Sequence, residues 1–298
     1  MAANTLIDPA AISHAEGLGL QARLIVEGYM GGEHRSPFRG FAVEFTQHRE
    51  YVHGDDLRHL DWKVLGRTDR YYLKQYEQET NYVAHLLLDG SESMAYGSGS
   101  ITKMQYAKVM AASLSYLILL QRDAAAVGVF DSEVRAQVPR TSNMASIHHI
   151  LDTLAKFQPS ETTDVGRVLH ELSGKISRKG IVILISDCFD NEEAILRGIQ
   201  EIRFGGSEVI LLHVMDPFEL EFPFKGMVEF EGLERLPKLA TRPSEIRKSY
   251  LKEVEAFRTR LREGCERNDC HYLLVNTSHP LSEVLTGYLA FRQMTLRR

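Results

Sequence analysis

The central part of the chain alternates short, mostly apolar runs with longer segments in which apolar residues recur every three or four positions. The short runs are typical of parallel strands buried on both faces, and they occupy residues 83–88, 124–130, 180–186, 208–214 and 270–275. The longer segments have the spacing of amphipathic helices and occupy residues 103–122, 143–157, 165–176, 191–204, 244–267 and 281–292. This alternation predicts an α/β fold, a doubly wound and mostly parallel sheet with helices on both faces.

Two weaker patterns complete this region. Residues 131–138 alternate like an edge strand, whereas residues 216–239 contain prolines that interrupt the rhythm. We expect the second segment to be an insertion with a short strand at residues 227–230.

The first 80 residues have a different pattern of apolar and charged positions. Apolar positions at residues 8–30 are spaced roughly as in a helix that ends at a pair of glycines. Residues 33–79 mix charged and aromatic side chains, and alternation at 41–45 and 72–76 indicates short strands. We therefore divide the chain into an N-terminal helix with a charged, aromatic extension, residues 1–80, and an α/β domain, residues 81–298.

Oxygen-bearing side chains lie at three ends of the predicted elements. Asp89, Ser91 and Ser93 alternate after the first apolar run, Thr163 stands in a loop before a helix, and Asp187 follows the third apolar run. The carboxyl ends of parallel strands form the ligand crevice of open α/β sheets, and hard divalent cations such as Mg²⁺ prefer oxygen ligands. The coincidence of the three groups favours a cation site. The alternative is a capped strand-to-helix turn, because Ser and Asp are common in such turns.

An enzyme interpretation uses some of the same residues. Ser91, Asp187 and His213 occur in the chain order of the α/β-hydrolase triad. That triad needs a G-x-S-x-G turn around its serine, and Asp89 and Ser93 stand where the glycines would be. The sequence has no G-x-x-x-x-G-K-[ST] loop, so we do not expect a P-loop ATPase. We expect a binding protein rather than an enzyme, with a metal- or serine-dependent hydrolase as the alternative.

The charged block before the α/β domain allows two interpretations. One is a catalytic metal cluster, formed by His48, His53, Asp55, Asp56, His59 and Asp61. The other is an ion-pair network, in which the carboxylates are held by Arg49, Arg58 and Arg67. The near-equal mix of signs favours the network, because buried carboxylates need paired partners.

The composition of the chain excludes some classes of partner and indicates a cellular compartment. A formal net charge of −5, from 35 basic and 40 acidic residues, does not indicate a nucleic-acid-binding or polybasic membrane-binding surface. The three cysteines are an odd number without framework spacing, so we expect reduced thiols. The first residues lack the features of a signal peptide, and no apolar run reaches the ~20 residues of a membrane helix. We therefore expect a cytoplasmic protein without membrane insertion.

Three motifs in the chain resemble a known bacterial family. They read G-E-H-R-S-P-F-R-G-F-A-V-E-F from residue 32, R-E-Y-V-H-G-D-D-L-R-H-L-D-W from residue 49 and D-G-S-E-S-M from residue 89. With these motifs the chain resembles the family catalogued as domain of unknown function fifty-eight, which is similar to von Willebrand factor A domains. The resemblance covers nearly the whole chain and implies a von Willebrand factor A-like, Rossmann-type fold.

The resemblance also implies a metal-ion-dependent adhesion site. In such a site Ser91, Ser93 and Thr163 would coordinate the cation through their hydroxyls, and Asp89 and Asp187 would act mostly through bound water. Mg²⁺ is the cation implied, with Mn²⁺ or Ca²⁺ as alternatives, and an open position would accept a carboxylate of a protein partner. The family further suggests that this partner is a MoxR-type AAA+ ATPase.

Overall fold

The computed structural model describes residues 44–52, 61–68, 70–77, 83–159, 163–176, 180–230 and 239–285. These residues belong to two compact units, one within Phe38–Tyr82 and the other containing the described residues from Val83 onward. The helix predicted at residues 8–30 lies outside the described residues. The helix predicted at 281–292 is described, and confirmed, only for residues 281–285.

The smaller unit contains an antiparallel pair of strands with a helix between them in the sequence. Strand β1 spans Glu44–Glu50, helix α1 spans Trp62–Thr68 and strand β2 spans Tyr72–Glu77. Both strands overlap the stretches in which alternation predicts them, although β1 runs further toward the C-terminus. Helix α1 is not predicted by the sequence pattern. Asp61 precedes α1, and its side chain accepts a hydrogen bond of 3.3 Å from the backbone N–H of Val64, as in a helix N-cap.

The larger unit is built on a six-stranded sheet. The sheet contains β3 (Val83–Asp89), β4 (Ala124–Phe130), β5 (Val134–Thr141), β6 (Gly180–Ser186), β7 (Glu208–Met215) and β10 (Cys270–Asn276). The unit also contains a separate two-stranded sheet of β8 (Val228–Phe230) and β9 (Leu239–Thr241). The order across the sheet is β10-β7-β6-β3-β4-β5, and within it only β5 runs antiparallel to its neighbour. β4 and β6 are buried along their whole length, as their apolar sequences predict. The predicted doubly wound, mostly parallel sheet is confirmed.

Helices cover both faces of this sheet. The described helices of the unit include α2 (Lys103–Leu120), α3 (Ile147–Lys156), α4 (Val165–Ser173), α5 (Glu192–Phe204), α6 (Pro217–Glu221) and α7 (Pro243–Arg267). α2 packs on the central strands and against α3, whereas α4, α5 and α7 share an apolar core with the alternate side chains of the strands. This layering is the doubly wound α/β architecture expected from the sequence. None of the described helices is both long and apolar enough to cross a membrane.

The chain changes direction across the sheet at β3. From β3 it passes through α2 to β4 on one side, and after β5 it returns through α3 and α4 to β6 on the other side. The gap between the carboxyl ends of β3 and β6 is therefore a topological switch point, the place where open α/β sheets bind ligands.

Two segments differ from the sequence prediction. β5 begins at Val134 rather than at residue 131, because Asp131 makes a turn in which its side chain accepts a hydrogen bond of 3.2 Å from the backbone N–H of Glu133. The predicted insertion contains helix α6 and the antiparallel pair β8–β9, of which only β8 was expected. α6 begins where it does because Asp216 caps it in a capping box and Pro217 occupies its first position.

Candidate metal centre

The switch point brings the predicted oxygen ligands to one edge of the sheet. Asp89 ends β3, Ser91 and Ser93 lie in the turn that follows, Asp187 comes directly after β6, and Thr163 precedes α4. Asp89, Ser91 and Asp187 are fully buried, Ser93 is nearly so, and Thr163 is half-buried. The five side chains lie where the sequence predicts them in the fold, and their role as metal ligands stays a prediction.

Asp89 is held by hydroxyl and amide donors. Its Oδ1 accepts a hydrogen bond of 3.0 Å from the backbone N–H of Ser91, and the Thr163 hydroxyl lies 3.5 Å from the same oxygen. Its Oδ2 accepts a hydrogen bond of 2.5 Å from the Ser186 hydroxyl. Among the described residues, no lysine or arginine forms an ion pair with this carboxylate. Within the described ranges, Asp89 is thus a fully buried carboxylate that has hydrogen-bond partners but no basic side chain paired with it.

The hydroxyls of Ser91 and Ser93 face each other in the turn after β3. Their Oγ atoms are 2.9 Å apart, which is a hydrogen-bond distance. Gly90 lets the ring of Phe157 pack closely against this turn, because a Cβ atom there would lie 2.4 Å from two of the ring carbons. The backbone N–H of Gly90 also donates a hydrogen bond of 2.5 Å to the carbonyl oxygen of Phe130 at the end of β4. The turn is therefore fixed to the neighbouring strand while it presents two hydroxyls side by side.

Asp187 has a counter-charge inside the protein. The Lys103 ammonium donates a hydrogen bond of 2.7 Å to Asp187 Oδ2 and one of 2.6 Å to Glu219 Oε1. Lys103 is the first residue of α2 and is fully buried. Its Nζ also lies 4.9 Å from the centre of the Phe189 ring, within range of a cation–π contact. Two largely buried carboxylates therefore share one buried ammonium.

The pKa values of these groups follow from burial and from their neighbours. Burial raises the pKa of Asp89 to about 7, and the Asp187 carboxylate adds to the rise, although hydrogen bonds to Asp89 oppose it. Burial lowers the pKa of Lys103, but the carboxylates of Asp187 and Glu219 outweigh burial, so the pKa of Lys103 is raised overall. Burial also raises the pKa of Glu219, against the opposing effect of Lys103. Among the described groups, no basic side chain beside Asp89 offsets the effect of burial on its ionised form.

The same residues do not assemble the alternative catalytic triad. His213 Nε2 lies 2.9 Å from the backbone carbonyl oxygen of Asp187, and its Nδ1 lies 2.7 Å from the Tyr272 hydroxyl. Both ring nitrogens therefore have partners other than Ser91, whose hydroxyl contacts Ser93. Burial lowers the pKa of His213 to about 4, although Asp187 opposes this shift. The imidazole supports the backbone that carries Asp187.

Backbone strain marks the end of β6. Cys188 has a φ of 56°, a left-handed conformation that residues with a Cβ atom rarely adopt. Its backbone N–H donates a hydrogen bond of 2.8 Å to the Ser186 hydroxyl, which in turn donates to Asp89. Strained residues of this kind cluster at functional sites. Cys188 and the other two cysteines are buried free thiols, in agreement with the prediction.

Three residues that complete this edge were not predicted from the sequence: Ser186, Lys103 and Glu219. Ser186 had a signal, because it stands at the carboxyl end of β6 directly before Asp187. Lys103 and Glu219 had none, since a lysine at the start of a helix and a glutamate near a proline are usually exposed.

Other combinations of metal ligands can be examined only where the structure describes the chain. Within the charged block, residues 53–60 lie outside the described residues, so the proposed cluster and the ion-pair network both fall largely there. In the ranges that the structure does describe, no three His, Cys, Asp or Glu side chains form a group able to hold a metal ion. A cation at the switch point would therefore depend on the hydroxyls of Ser91, Ser93 and Thr163 as well as on carboxylates. A set of neutral and charged oxygens of this kind suits Mg²⁺, which keeps several of its waters.

Comparison with known proteins gives a family match over most of the chain. The model of the family described as protein of unknown function DUF58 matches residues 47–260, a range that includes the whole switch-point edge. The uncharacterized protein Mb1516 of Mycobacterium bovis is 25% identical over 230 residues, which are 76% of this chain and 72% of that protein. The uncharacterized protein Rv1480 of Mycobacterium tuberculosis gives the same values.

Several solved structures are similar to this one. BatB from Bacteroides thetaiotaomicron has a TM-score of 0.48 and 17% identity, and the match covers 72% of this chain and 99% of that chain. An aerotolerance-related membrane protein from Bacteroides fragilis has a TM-score of 0.46 and 19% identity, over 71% of this chain and 98% of that chain. The SpRpn10 VWA domain has a TM-score of 0.39 and 13% identity, over 68% and 93%. None of these matches identifies a ligand or a partner of this chain.

Proposed function

The chain belongs to the family of proteins of unknown function DUF58, and from this premise we propose that it is a protein-binding module rather than an enzyme. Its binding surface is the edge of the sheet at the switch point between β3 and β6. There it presents a divalent cation to a protein partner, with the cation held by Ser91, Ser93 and Thr163 and with Asp89 and Asp187 beside it.

The observation that carries this proposal is the environment of Asp89. Buried carboxylates are normally paired with a cation or bind a metal. Asp131, at the end of the adjacent strand β4, follows that rule, because the Arg135 Nε donates to its two oxygens at 2.9 and 2.8 Å. In the described part of the chain Asp89 has hydroxyl and amide donors only, and its pKa rises to about 7. A divalent cation would supply the positive charge that this position lacks.

Mg²⁺ is the cation that this set of donors suits best. Hydroxyl and carboxylate oxygens are hard ligands, and Mg²⁺ is bound in proteins by few side chains together with water. Mn²⁺ and Ca²⁺ accept oxygen ligands too and remain alternatives. When bound, the cation provides an electrophilic position that a carboxylate of the partner can occupy.

The surroundings of the site suit contact with another protein. Phe189 lies two residues after Asp187, stacks on Phe257 at 5.8 Å between ring centres and is 38% exposed. An exposed aromatic ring next to a polar centre is a common feature of protein interfaces. The partner class comes from the family resemblance, which points to a MoxR-type AAA+ ATPase. Three free thiols suit a reducing compartment, so we place this interaction in the cytoplasm.

The direct test is a calorimetric titration of metal-stripped protein with Mg²⁺ and Mn²⁺. We expect one saturable site in the wild type and none in Asp89→Ala. Asp131→Asn is the matched control, because it changes the buried carboxylate at the next strand end, which already has a guanidinium partner. Equal binding by the wild type and Asp89→Ala would place any cation elsewhere and would refute the site.

A second experiment tests the partner. A MoxR-type ATPase from the same organism should be retained by the immobilised wild-type protein with Mg²⁺ and released by a chelator. The Asp89→Ala, Ser91→Ala double variant should retain none, while its circular dichroism stays that of the wild type. If the ATPase is retained equally with and without chelator, and equally by the wild type and the double variant, adhesion through a metal is ruled out.

A further inference from the structure

The buried ammonium of Lys103 lies directly beside the candidate metal centre. It is hydrogen-bonded to Asp187, one of the five predicted site residues, at 2.7 Å. Its second partner, Glu219, is held in place because Glu219 Oε2 accepts a hydrogen bond of 2.8 Å from the backbone N–H of Asp216. The Lys103 ammonium is therefore already paired with a carboxylate, that of Asp187, which a divalent cation at this site would use.

The position of Lys103 is fixed by its own helix. Thr102 caps α2 in a capping box with Gln105, so the backbone of Lys103 is anchored at the first turn. Lys103 is fully buried, so its ammonium has no exposed position available without rearrangement of its surroundings. The ammonium can instead lean toward either of its two carboxylates, since a lysine stem is flexible and its charge is compact.

We propose that Lys103 sets the cation affinity of this site, because its ammonium competes with the divalent cation for the Asp187 carboxylate. This inference rests on the proposed function of the site. With Asp187 paired to Lys103, the cation is bound mainly by the half of the site that contains Asp89. Glu219 retains the ammonium when Asp187 turns toward the cation, so that no buried charge is left alone. The site is thereby a weak one that binds firmly only when further ligands, such as those of a partner, are added.

The double variant Lys103→Met, Glu219→Gln tests the competition at constant charge. In the wild type Lys103, Asp187 and Glu219 carry one net negative charge, and in the double variant Asp187 alone carries it. Met has a flexible, unbranched side chain similar in length to that of Lys, and the Gln carbonyl can still accept the hydrogen bond from Asp216. The change therefore releases Asp187 without altering the net charge of this group.

We expect calorimetry to show that Mg²⁺ binds at least about tenfold more tightly to the double variant than to the wild type. A neighbouring opposite charge changes the proton affinity of a carboxylate by about tenfold or more, and we expect a similar change in its affinity for the cation. Adding Asp187→Asn to the double variant should remove the gain. Thermal unfolding of each variant without Mg²⁺ shows that the compared proteins are folded. Wild-type binding with no gain in the folded double variant would overturn the role of Lys103 and leave the proposed function standing. Absence of binding in every protein would overturn both.

The single variant Glu219→Gln keeps the inference testable if the double variant does not fold. With Glu219 neutral, the ammonium has Asp187 as its one remaining carboxylate, so the competition becomes stronger. Mg²⁺ binding should be several-fold weaker than in the wild type, a change opposite in sign to that of the double variant. An unchanged affinity in folded Glu219→Gln would overturn the proposal.

Discussion

Asp89 and Asp187 stand at the ends of neighbouring parallel strands, and both are fully buried, yet their surroundings differ in kind. Asp187 is paired with an ammonium that the chain itself provides. Asp89 is surrounded by the hydroxyls of Ser186 and Thr163 and the backbone N–H of Ser91. In the part of the chain that the structure describes, the Asp187 half of the site thus has a cationic partner, and the Asp89 half has none. Burial at the switch point therefore does not distinguish the two carboxylates; among the described residues, what distinguishes them is the basic partner that Asp187 has and Asp89 does not.

Removal of the internal counter-charge should have the largest effect on stability. Lys103→Met leaves Asp187 and Glu219 buried without a cation, and breaking a buried ion pair in this way costs about 3–5 kcal/mol of unfolding free energy. Urea denaturation at neutral pH, followed by circular dichroism, measures this loss.

Lys108→Met is the matched control for that experiment. Lys108 lies in the same helix, but its ammonium donates to the backbone carbonyl oxygens of Phe157 at 2.6 Å and of Ala155 at 3.5 Å rather than to a carboxylate. Its loss leaves no carboxylate uncompensated, so we expect a loss of unfolding free energy of no more than about 3 kcal/mol. Equal losses in the two variants would show that Lys103 does not act as a counter-charge and would remove the distinction between the two halves of the site.

Neutralising Asp187 should have an intermediate effect. Asp187→Asn weakens one charge-assisted hydrogen bond but leaves the Lys103 ammonium paired with Glu219, so we expect a loss of about 2 kcal/mol in unfolding free energy. The same urea titration measures it beside Lys103→Met. A loss as large as that of Lys103→Met would mean that Glu219 does not hold the ammonium, and the pairing of the two carboxylates with one cation would then be wrong.

The sequence predicts the Asp89 half of the site better than the Asp187 half, and the reason is physical. Asp89, Ser91 and Ser93 follow one strand within five residues, so a local pattern contains their arrangement. Lys103 is 84 residues from Asp187 and 116 from Glu219 along the chain. No local pattern shows that the first residue of a helix points into a buried edge, because that depends on how the helix packs.

The elements of the fold were likewise predictable only where a local pattern determines them. The central strands were predictable, because a strand buried on both faces must be apolar along its whole length. Helix α6 was not predicted, although Asp216 and Pro217 are a local start signal, because its five residues are too few to show a helical period. Asp216 also accepts a hydrogen bond of 2.8 Å from the backbone N–H of Ser98, which is 118 residues away, and no local pattern shows that contact.

Asp89→Asn should have the smallest effect on the cation-free protein. The amide keeps the shape of the carboxyl group and can still accept the hydrogen bond from the backbone N–H of Ser91. It also removes a buried charge that none of the described basic side chains pairs with. We expect unfolding free energies within about 1 kcal/mol of the wild type at neutral pH. With Mg²⁺ the wild type should become more stable than Asp89→Asn. A ligand that binds only the folded state stabilises it by about 2.7 kcal/mol at a concentration one hundred times its Kd. Thermal unfolding at increasing Mg²⁺ should therefore raise the Tm of the wild type and leave that of Asp89→Asn unchanged. A loss of stability in cation-free Asp89→Asn as large as that in Asp187→Asn would show that both carboxylates are structural, and the contrast between the two halves would not hold.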